Sequence, residues 1–244
     1  MLIVANWKAY VEDPGKAKRL YALAKRLARV NTRTKLVLAV PAPFLGLFAS
    51  GNTSKVRFAI QDISASLGGA QTGEITAAAA RAAGAEYAII GHSERRALGE
   101  TDALIAQKLQ HAVAQGLVPI LCVGEASRDA ASAYLAQVRA QVAAAMQPLG
   151  PRERSKVIVA YEPLWAIGKS AEDAILAHDL AEMALYIRKV TAELGAPKTL
   201  VLYGGSVEPE NIRDLAGGAS VDGFLIGHAS VDGAMFADLV RALA

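Results

Sequence analysis

The residues best suited to chemistry follow an apolar run near position 160. Residues 157–161 are predicted to form a strand buried on both faces, and Pro163 ends it at Glu162 because proline cannot continue a hydrogen-bonded ladder. The short apolar loop 164–168 comes next and closes on Gly168. A carboxylate beneath such a loop is suited to act as a general base shielded from water. The alternative interpretation is that Glu162 caps a helix or pairs with an arginine.

Further polar residues follow other apolar runs along the chain. In order they are Asn6, Lys8, Gln61, Asp62, His92, Cys122, Glu125, Ser206 and His228. They include an ammonium, an imidazole and two glycine turns, at 204–206 and 227–228, whose backbone N–H groups can bind an anion. Their spacing does not resemble a metal site. His111 and His178 fall in predicted helices and are interpreted as solvated residues.

The elements that must position these residues alternate along the chain. Strand-like runs occur at 2–5, 36–40, 58–60, 87–90, 118–123, 157–161, 199–203 and 223–226, and helical patterns lie between most of them. Such β-then-α units predict an α/β fold with a parallel sheet, either closed into a (β/α)8 barrel or open and doubly wound. An open sheet that binds a dinucleotide needs a glycine-rich turn after the first strand, and residues 6–10 contain no glycine. A single domain over 1–244 is predicted, because no linker or composition break divides the chain.

Composition excludes several classes of function. The chain has 244 residues, 53% hydrophobic and 20% charged, with 26 basic and 23 acidic side chains and a formal net charge of +3. That charge is too small and too dispersed for a nucleic-acid-binding surface, but it favours a small anionic substrate. No run approaches the roughly 20 apolar residues that span a bilayer, and the N-terminus reads as a first strand without a leader. One cysteine, Cys122, fits a reducing cytoplasm.

Six short motifs, in order, resemble the triosephosphate isomerase family along the whole chain. They lie at 5–8 (Ala-Asn-Trp-Lys), 71–74 (Gln-Thr-Gly-Glu), 91–96 (Gly-His-Ser-Glu-Arg-Arg), 121–125 (Leu-Cys-Val-Gly-Glu), 160–168 (Ala-Tyr-Glu-Pro-Leu-Trp-Ala-Ile-Gly) and 203–207 (Tyr-Gly-Gly-Ser-Val). The resemblance implies a TIM barrel that isomerises a three-carbon sugar phosphate, without a cofactor, as a cytoplasmic homodimer.

The resemblance also implies a role for each candidate residue. Glu162 would move the proton between neighbouring carbons, and a neutral His92 would polarise the carbonyl, as in the known enzyme. Lys8 and Asn6 would stabilise the phosphate and the enediolate. Donors to the phosphate would come from Gly168, Ser206, Gly227 and His228.

Other residues receive supporting roles from the same resemblance. Lys8 would also pair with Glu94, Cys122 would be a packed thiol beside the site, and Arg95 and Arg96 would be structural and interface charges rather than a phosphate clamp. Glu125 and Tyr161 would exchange hydrogen bonds with Trp165 as the lid moves. Arg188 and Asp222 are a further candidate for a buried ion pair.

The sequence departs from the family pattern at three places. The lid normally reads Ile-Gly-Thr-Gly-Lys-Thr, whereas here Gly168 runs directly into Lys169, so two residues are missing from its tip. His228 replaces the second glycine of a pair. A positive φ at this position would cost a histidine about 1 kcal/mol; the favoured interpretation is that only the backbone N–H is needed and the side chain points away from the phosphate. Tyr10 replaces an asparagine that in the family meets the partner's third loop, here 71–73. The short lid leaves open an isomerase for a four-carbon ketose phosphate, and a phosphate-binding protein without catalysis is a second alternative.

Overall fold

Eight short strands form a closed parallel barrel in the computed structural model, which describes residues 1–128, 132–168 and 175–244. The strands are β1 (Leu2–Asn6), β2 (Lys35–Val40), β3 (Arg57–Ile60), β4 (Tyr87–Ile90), β5 (Val118–Val123), β6 (Ile158–Tyr161), β7 (Val201–Tyr203) and β8 (Gly223–Ile226). Each boundary lies within two residues of its prediction from the sequence. Pro119 is the second residue of β5, near the start of the strand, where a missing N–H disturbs the ladder least.

The barrel closes where the first strand pairs with the last. β1 and β8 are parallel, with Leu2 opposite Gly223 and Ala5 opposite Ile226. A side chain at position 223 would not fit, because a Cβ there would lie 1.8 Å from the carbonyl oxygen of Leu2. The closed arrangement confirms the (β/α)8 barrel and rules out the open, doubly wound sheet.

Helices cover the outside of the barrel. The described residues include α1 (Pro14–Val30), α2 (Ala42–Ala49), α3 (Ala77–Ala82), α4 (Ser93–Ala97), α5 (Asp102–Ala114), α6 (Ala133–Met146), α7 (Pro151–Arg154), α8 (Ala177–Glu193), α9 (Ile212–Gly218) and α10 (Gly233–Ala242). The Asp13 carboxylate accepts the N–H groups of Gly15 and Lys16, at 3.1 and 2.6 Å, and so caps the start of α1. No helix in the described ranges is both long and apolar enough to cross a membrane.

Each strand buries both of its faces, which explains the continuous apolar runs. Val4 and Val37 belong to the cluster inside the barrel, whereas Ile3 and Leu36 belong to the cluster between strands and helices. Because all eight strands are parallel, their carboxyl ends lie at one face of the barrel, where the polar residues of the sequence follow them.

A buried charge cluster ties α5 to the loop after β3. Lys108 on α5 is buried and donates hydrogen bonds to both oxygens of Asp62, at 2.7 and 2.8 Å, and to Glu100. Arg95 donates to Glu100 at 2.8 Å and pairs with Asp62 at 3.0 Å. Burial raises the pKa of Glu100, but the hydrogen bonds from Lys108 and Arg95 outweigh it, so the net pKa lies below the usual value.

Replacing Lys108 with methionine should lower the free energy of unfolding at pH 7 by about 3–5 kcal/mol, because Glu100 would keep a buried charge without its closest partner. Urea denaturation monitored by circular dichroism measures this loss. The double variant Lys108→Met, Glu100→Gln should regain much of the stability. A loss of less than about 1 kcal/mol in the single variant would mean that the cluster behaves as an exposed ion pair.

Candidate active site

A cavity of about 390 Å³ opens at the carboxyl ends of the strands. All eight site residues predicted from the sequence line it, namely Asn6, Lys8, His92, Glu162, Gly168, Ser206, Gly227 and His228. They follow five different strands, and closure of the barrel brings them together. Arg95 and Arg96 do not line the cavity. Arg96 instead donates to Asp102 at 2.6 Å and to the carbonyl of Gly91 at 3.0 Å.

Glu162 lies directly after β6 and is 2% exposed. Its Oε2 accepts the backbone N–H of Ser93, the first residue of α4, at 3.0 Å. Its Oε1 lies 3.3 Å from Nε2 of His92. The carboxylate therefore does cap a helix, as one interpretation of the sequence held, but it does so inside the cavity and beside an imidazole.

A hydrogen bond from the backbone determines which ring nitrogen of His92 carries the proton. It is the N-cap of α4, and its Nδ1 accepts the N–H of Glu94 at 3.2 Å. A nitrogen that accepts a hydrogen bond carries no proton, so in the neutral ring the proton is on Nε2. That N–H faces Glu162 and the cavity, and it is suited to polarise a substrate oxygen.

Lys8 occupies a strained backbone conformation with φ of 46°, in the left-handed region that favours glycine. The Asn6 side chain accepts the Lys8 N–H at 3.1 Å, and the Gln61 side chain donates to the Lys8 carbonyl at 3.0 Å. The ammonium donates to Glu94 at 2.7 Å. Strain of this kind costs about 1–3 kcal/mol and is typical of functional sites. Asn6 and Gln61 hold the lysine at the cavity.

Two glycines make room for Glu162. A Cβ at Gly124, after β5, would lie 1.9 Å from the carbonyl oxygen of Glu162. A Cβ at Gly204, after β7, would lie 2.8 Å from its Cγ. The Gln141 side chain on α6 accepts the Gly124 N–H and donates to the Gly124 carbonyl, both at 2.9 Å. The backbone around the carboxylate is therefore fixed on both sides.

The first turn of the lid is attached to a buried carboxylate. Oε1 of Glu125 accepts hydrogen bonds from the Tyr161 hydroxyl at 2.7 Å and from Nε1 of Trp165 at 2.9 Å. Burial and the nearby Glu125 charge raise the Tyr161 pKa well above its usual range, so the hydroxyl remains a donor. Arg128, which the sequence interpretation did not single out, donates to Glu125 at 3.3 Å and lies 5.1 Å from the Trp165 ring centre.

The other end of that turn meets the loop after β7. The Ser206 hydroxyl donates to the carbonyl of Ala166 at 3.0 Å. The predicted shortening of the lid concerns residues from Lys169 onward, and positions 169–174 lie outside the described residues. Cys122 is buried, and its pKa is raised by burial and then by the Glu162 charge, which suits a packed thiol rather than a nucleophile.

His228 has an ordinary backbone, since it is absent from the positive-φ residues of the described chain. Its ring contacts that of Tyr10, and both residues line the cavity. That the side chain points away from a bound phosphate stays a prediction. Arg188 and Asp222 do pair, at 2.8 Å, but both remain partly exposed. His111 was interpreted as solvated, yet it is half-buried on α5.

Within the described ranges, no group of three or more His, Cys, Asp or Glu could hold a metal ion.

A family model described as triosephosphate isomerase matches residues 1–243. The chain belongs to the triosephosphate isomerase family. Relatives named triosephosphate isomerase include those of Ralstonia nicotianae, 38% identical over 99% of this chain and 98% of the relative, and Thermus thermophilus, 38% identical over the same shares. The relative from Roseiflexus sp. is 39% identical over 99% of this chain and 97% of its own length.

Replacing Gly124 with alanine should lower the free energy of unfolding by roughly 1–3 kcal/mol, because the new methyl group would force the ends of β5 and β6 apart. Gly46 on α2 is the matched control, since a Cβ there meets nothing within 4 Å. Gly46→Ala should raise stability by about 0.5–1 kcal/mol through helix propensity. Urea denaturation of both variants makes the comparison. Equal stability of the two would contradict the close approach.

Proposed function

We propose that this protein is a triosephosphate isomerase, which interconverts dihydroxyacetone phosphate and D-glyceraldehyde 3-phosphate in glycolysis and gluconeogenesis. The observation that carries the proposal is the buried Glu162 carboxylate, 3.3 Å from Nε2 of His92, in a cavity that also receives the Lys8 ammonium. These groups are a base, a hydrogen-bond donor and a cation, as proton transfer next to a carbonyl requires.

Glu162 is the general base of the proposed reaction. Its carboxylate takes a proton from the carbon next to the substrate carbonyl, which produces an enediolate, and it returns the proton to the neighbouring carbon. Burial of the side chain restricts the access of water, which would otherwise compete for the proton and solvate the base. Only protons move between substrate and product, so the reaction requires no cofactor.

His92, Lys8 and Asn6 stabilise the charge that develops on the substrate oxygens. The Nε2–H of His92 donates to the carbonyl oxygen and passes protons between the two oxygens. The Lys8 ammonium supplies a fixed positive charge for the enediolate and for the phosphate. Its hydrogen bond to Glu94 supports a structural role as well, and both roles require the same side-chain position.

The phosphate is proposed to lie at the opposite end of the cavity from His92. Donors come from the backbone N–H groups of Gly168, Gly227 and His228 and from the loop that carries Ser206, all of which line the cavity. A protein that only bound phosphate would not need a general base, so the pairing of Glu162 with His92 argues against a purely binding function.

Replacing Glu162 with glutamine should lower kcat for glyceraldehyde 3-phosphate by at least about 10²–10⁴-fold, with a much smaller effect on KM, because the amide keeps the shape but cannot take a proton. A coupled assay of dihydroxyacetone phosphate formation measures both constants. Glu182→Gln, an exposed change on α8, is the control and should leave kcat unchanged. A Glu162→Gln variant with near-normal kcat would remove Glu162 from the mechanism.

We propose in addition that the protein is a homodimer. The loop 67–74 after β3 is continuously exposed and yet internally ordered, with the Gln71 N–H donating to the Gly69 carbonyl at 2.8 Å. Exposed apolar side chains also follow β1, β3 and β4 at the same barrel face, namely Tyr10, Leu67 and Leu98. A second copy would remove this apolar area from water.

Replacing Leu67, which is 76% exposed, with glutamate should shift the protein toward monomer, because the charge would be buried in the dimer contact. Sedimentation velocity at micromolar concentration should give about twice 25.5 kDa for the wild type and a smaller mass for the variant. Val30→Glu is the matched control, since Val30 is 73% exposed at the far end of α1. A monomeric wild type at this concentration would refute the dimer.

We also infer that residues 1–244 form one domain located in the cytoplasm. The single-domain assignment is supported by strands at both ends of the chain that pair with each other, β1 with β8. The cytoplasmic location is supported by the buried, unpaired Cys122, which fits a reducing compartment.

A further inference from the structure

Two departures from the family pattern meet at the mouth of the cavity. Tyr10 follows β1 and His228 follows β8, and their ring centres are 5.8 Å apart with an angle of 80° between the planes. Both residues line the cavity. Such an edge-to-face contact restricts the orientation of both rings.

The cavity contains little positive charge for a phosphate dianion. Among the described residues that line it, the side chain with a permanent positive charge is Lys8, and this charge is already paired with Glu94. Glu162 and Glu208 add two further carboxylates. A second cation would therefore improve binding of a dianion.

The His228 ring is available to provide that charge. Within the described ranges its two nitrogens take part in no hydrogen bond or ion pair, and the side chain is exposed to solvent. The ionisable groups nearest it are Tyr10, through the ring contact, and Lys8, whose Nζ lies 3.6 Å from a Cβ built at the neighbouring Gly227. The loop after β7 adds Glu208 to the same cavity, and Asp232, four residues along the chain, accepts N–H groups of α10.

We propose that the His228 imidazole, oriented by Tyr10, is a second and proton-dependent cation for the substrate phosphate. The inference rests on the proposed function, because it places a phosphate in this cavity. The protonated ring adds to the charge of Lys8, so anion affinity is highest where the ring is protonated and falls as rising pH removes its proton. By linkage, a bound dianion makes His228 harder to deprotonate by the same factor.

His92 does not supply the same effect. Its Nδ1 accepts the Glu94 N–H, and adding a proton there would break that hydrogen bond. Substitution of His228 alone therefore separates its contribution from that of His92.

Inorganic sulfate is the probe, because it keeps both negative charges throughout the titration range of histidine, whereas phosphate does not. Proton NMR of the histidine rings, assigned with His228→Gln, should show that saturating sulfate raises the titration midpoint of His228 by about one pH unit, a tenfold coupling. His178, exposed on α8, should not move. An unchanged His228 midpoint, with or without sulfate effects on other rings, would overturn the proposal.

Sulfate affinity at pH 6 and pH 8 gives an independent comparison. In the wild type and in Tyr10→Phe, which retains the ring contact, the affinity should be about five- to tenfold higher at pH 6. In His228→Gln it should be equal at both values and match the wild type at pH 8. If His228→Gln weakens binding equally at both pH values, the ring has only a structural role and the proposal fails. Neither measurement uses turnover, so failure of the isomerase assignment would appear separately, in the assay of glyceraldehyde 3-phosphate.

Discussion

The backbone segments that follow β5 and β6 are in direct contact with each other. No side chain fits at Gly124, because the carbonyl of Glu162 occupies the space that a Cβ would take. The Glu162 N–H donates to the Val123 carbonyl at 2.8 Å, and the Leu164 N–H donates to the Glu125 carbonyl at 2.9 Å. The pairing of the two strands is thereby extended as far as the lid. The base and the first turn of the lid are therefore held by the same extension of the β5–β6 pairing.

Two carboxylates are buried beside this contact, and hydrogen-bond donors from other elements offset the unfavourable free energy of burying them. Glu162 and Glu125 are both buried carboxylates, and burial disfavours their charged forms. Each is stabilised by donors from another element: Glu162 by the backbone of α4, and Glu125 by Tyr161 and Trp165. The strained backbone of Lys8 is held in the same manner by Asn6 and Gln61. Unfavourable local features accumulate at this face of the barrel, where the residues lining the cavity lie.

Local patterns in the sequence were sufficient for the strands and for the residues that follow them. Apolar runs mark strands buried on both faces, and the closed barrel converts the position after a strand into a position in the cavity. Gln141 and Arg128 could not be found in this way. Gln141 acts through Gly124 from α6, and Arg128 acts through a carboxylate and an aromatic ring. These contacts depend on how helices pack against the barrel, and no short spacing in the sequence reports that packing.

The contact between the His228 and Tyr10 rings could not be predicted from local patterns either. From the sequence, the histidine in place of glycine was considered only in relation to the phosphate, and the tyrosine in place of asparagine only for the dimer contact. The closure of β1 on β8 makes the two positions neighbours, although they are more than 200 residues apart in the chain. An asparagine at position 10 offers no ring edge to an imidazole, and a glycine at position 228 offers nothing for a tyrosine to contact. The ring contact therefore requires both substitutions together. Since Tyr10 also lies on the proposed dimer face, the wall of the cavity and the subunit contact share a residue.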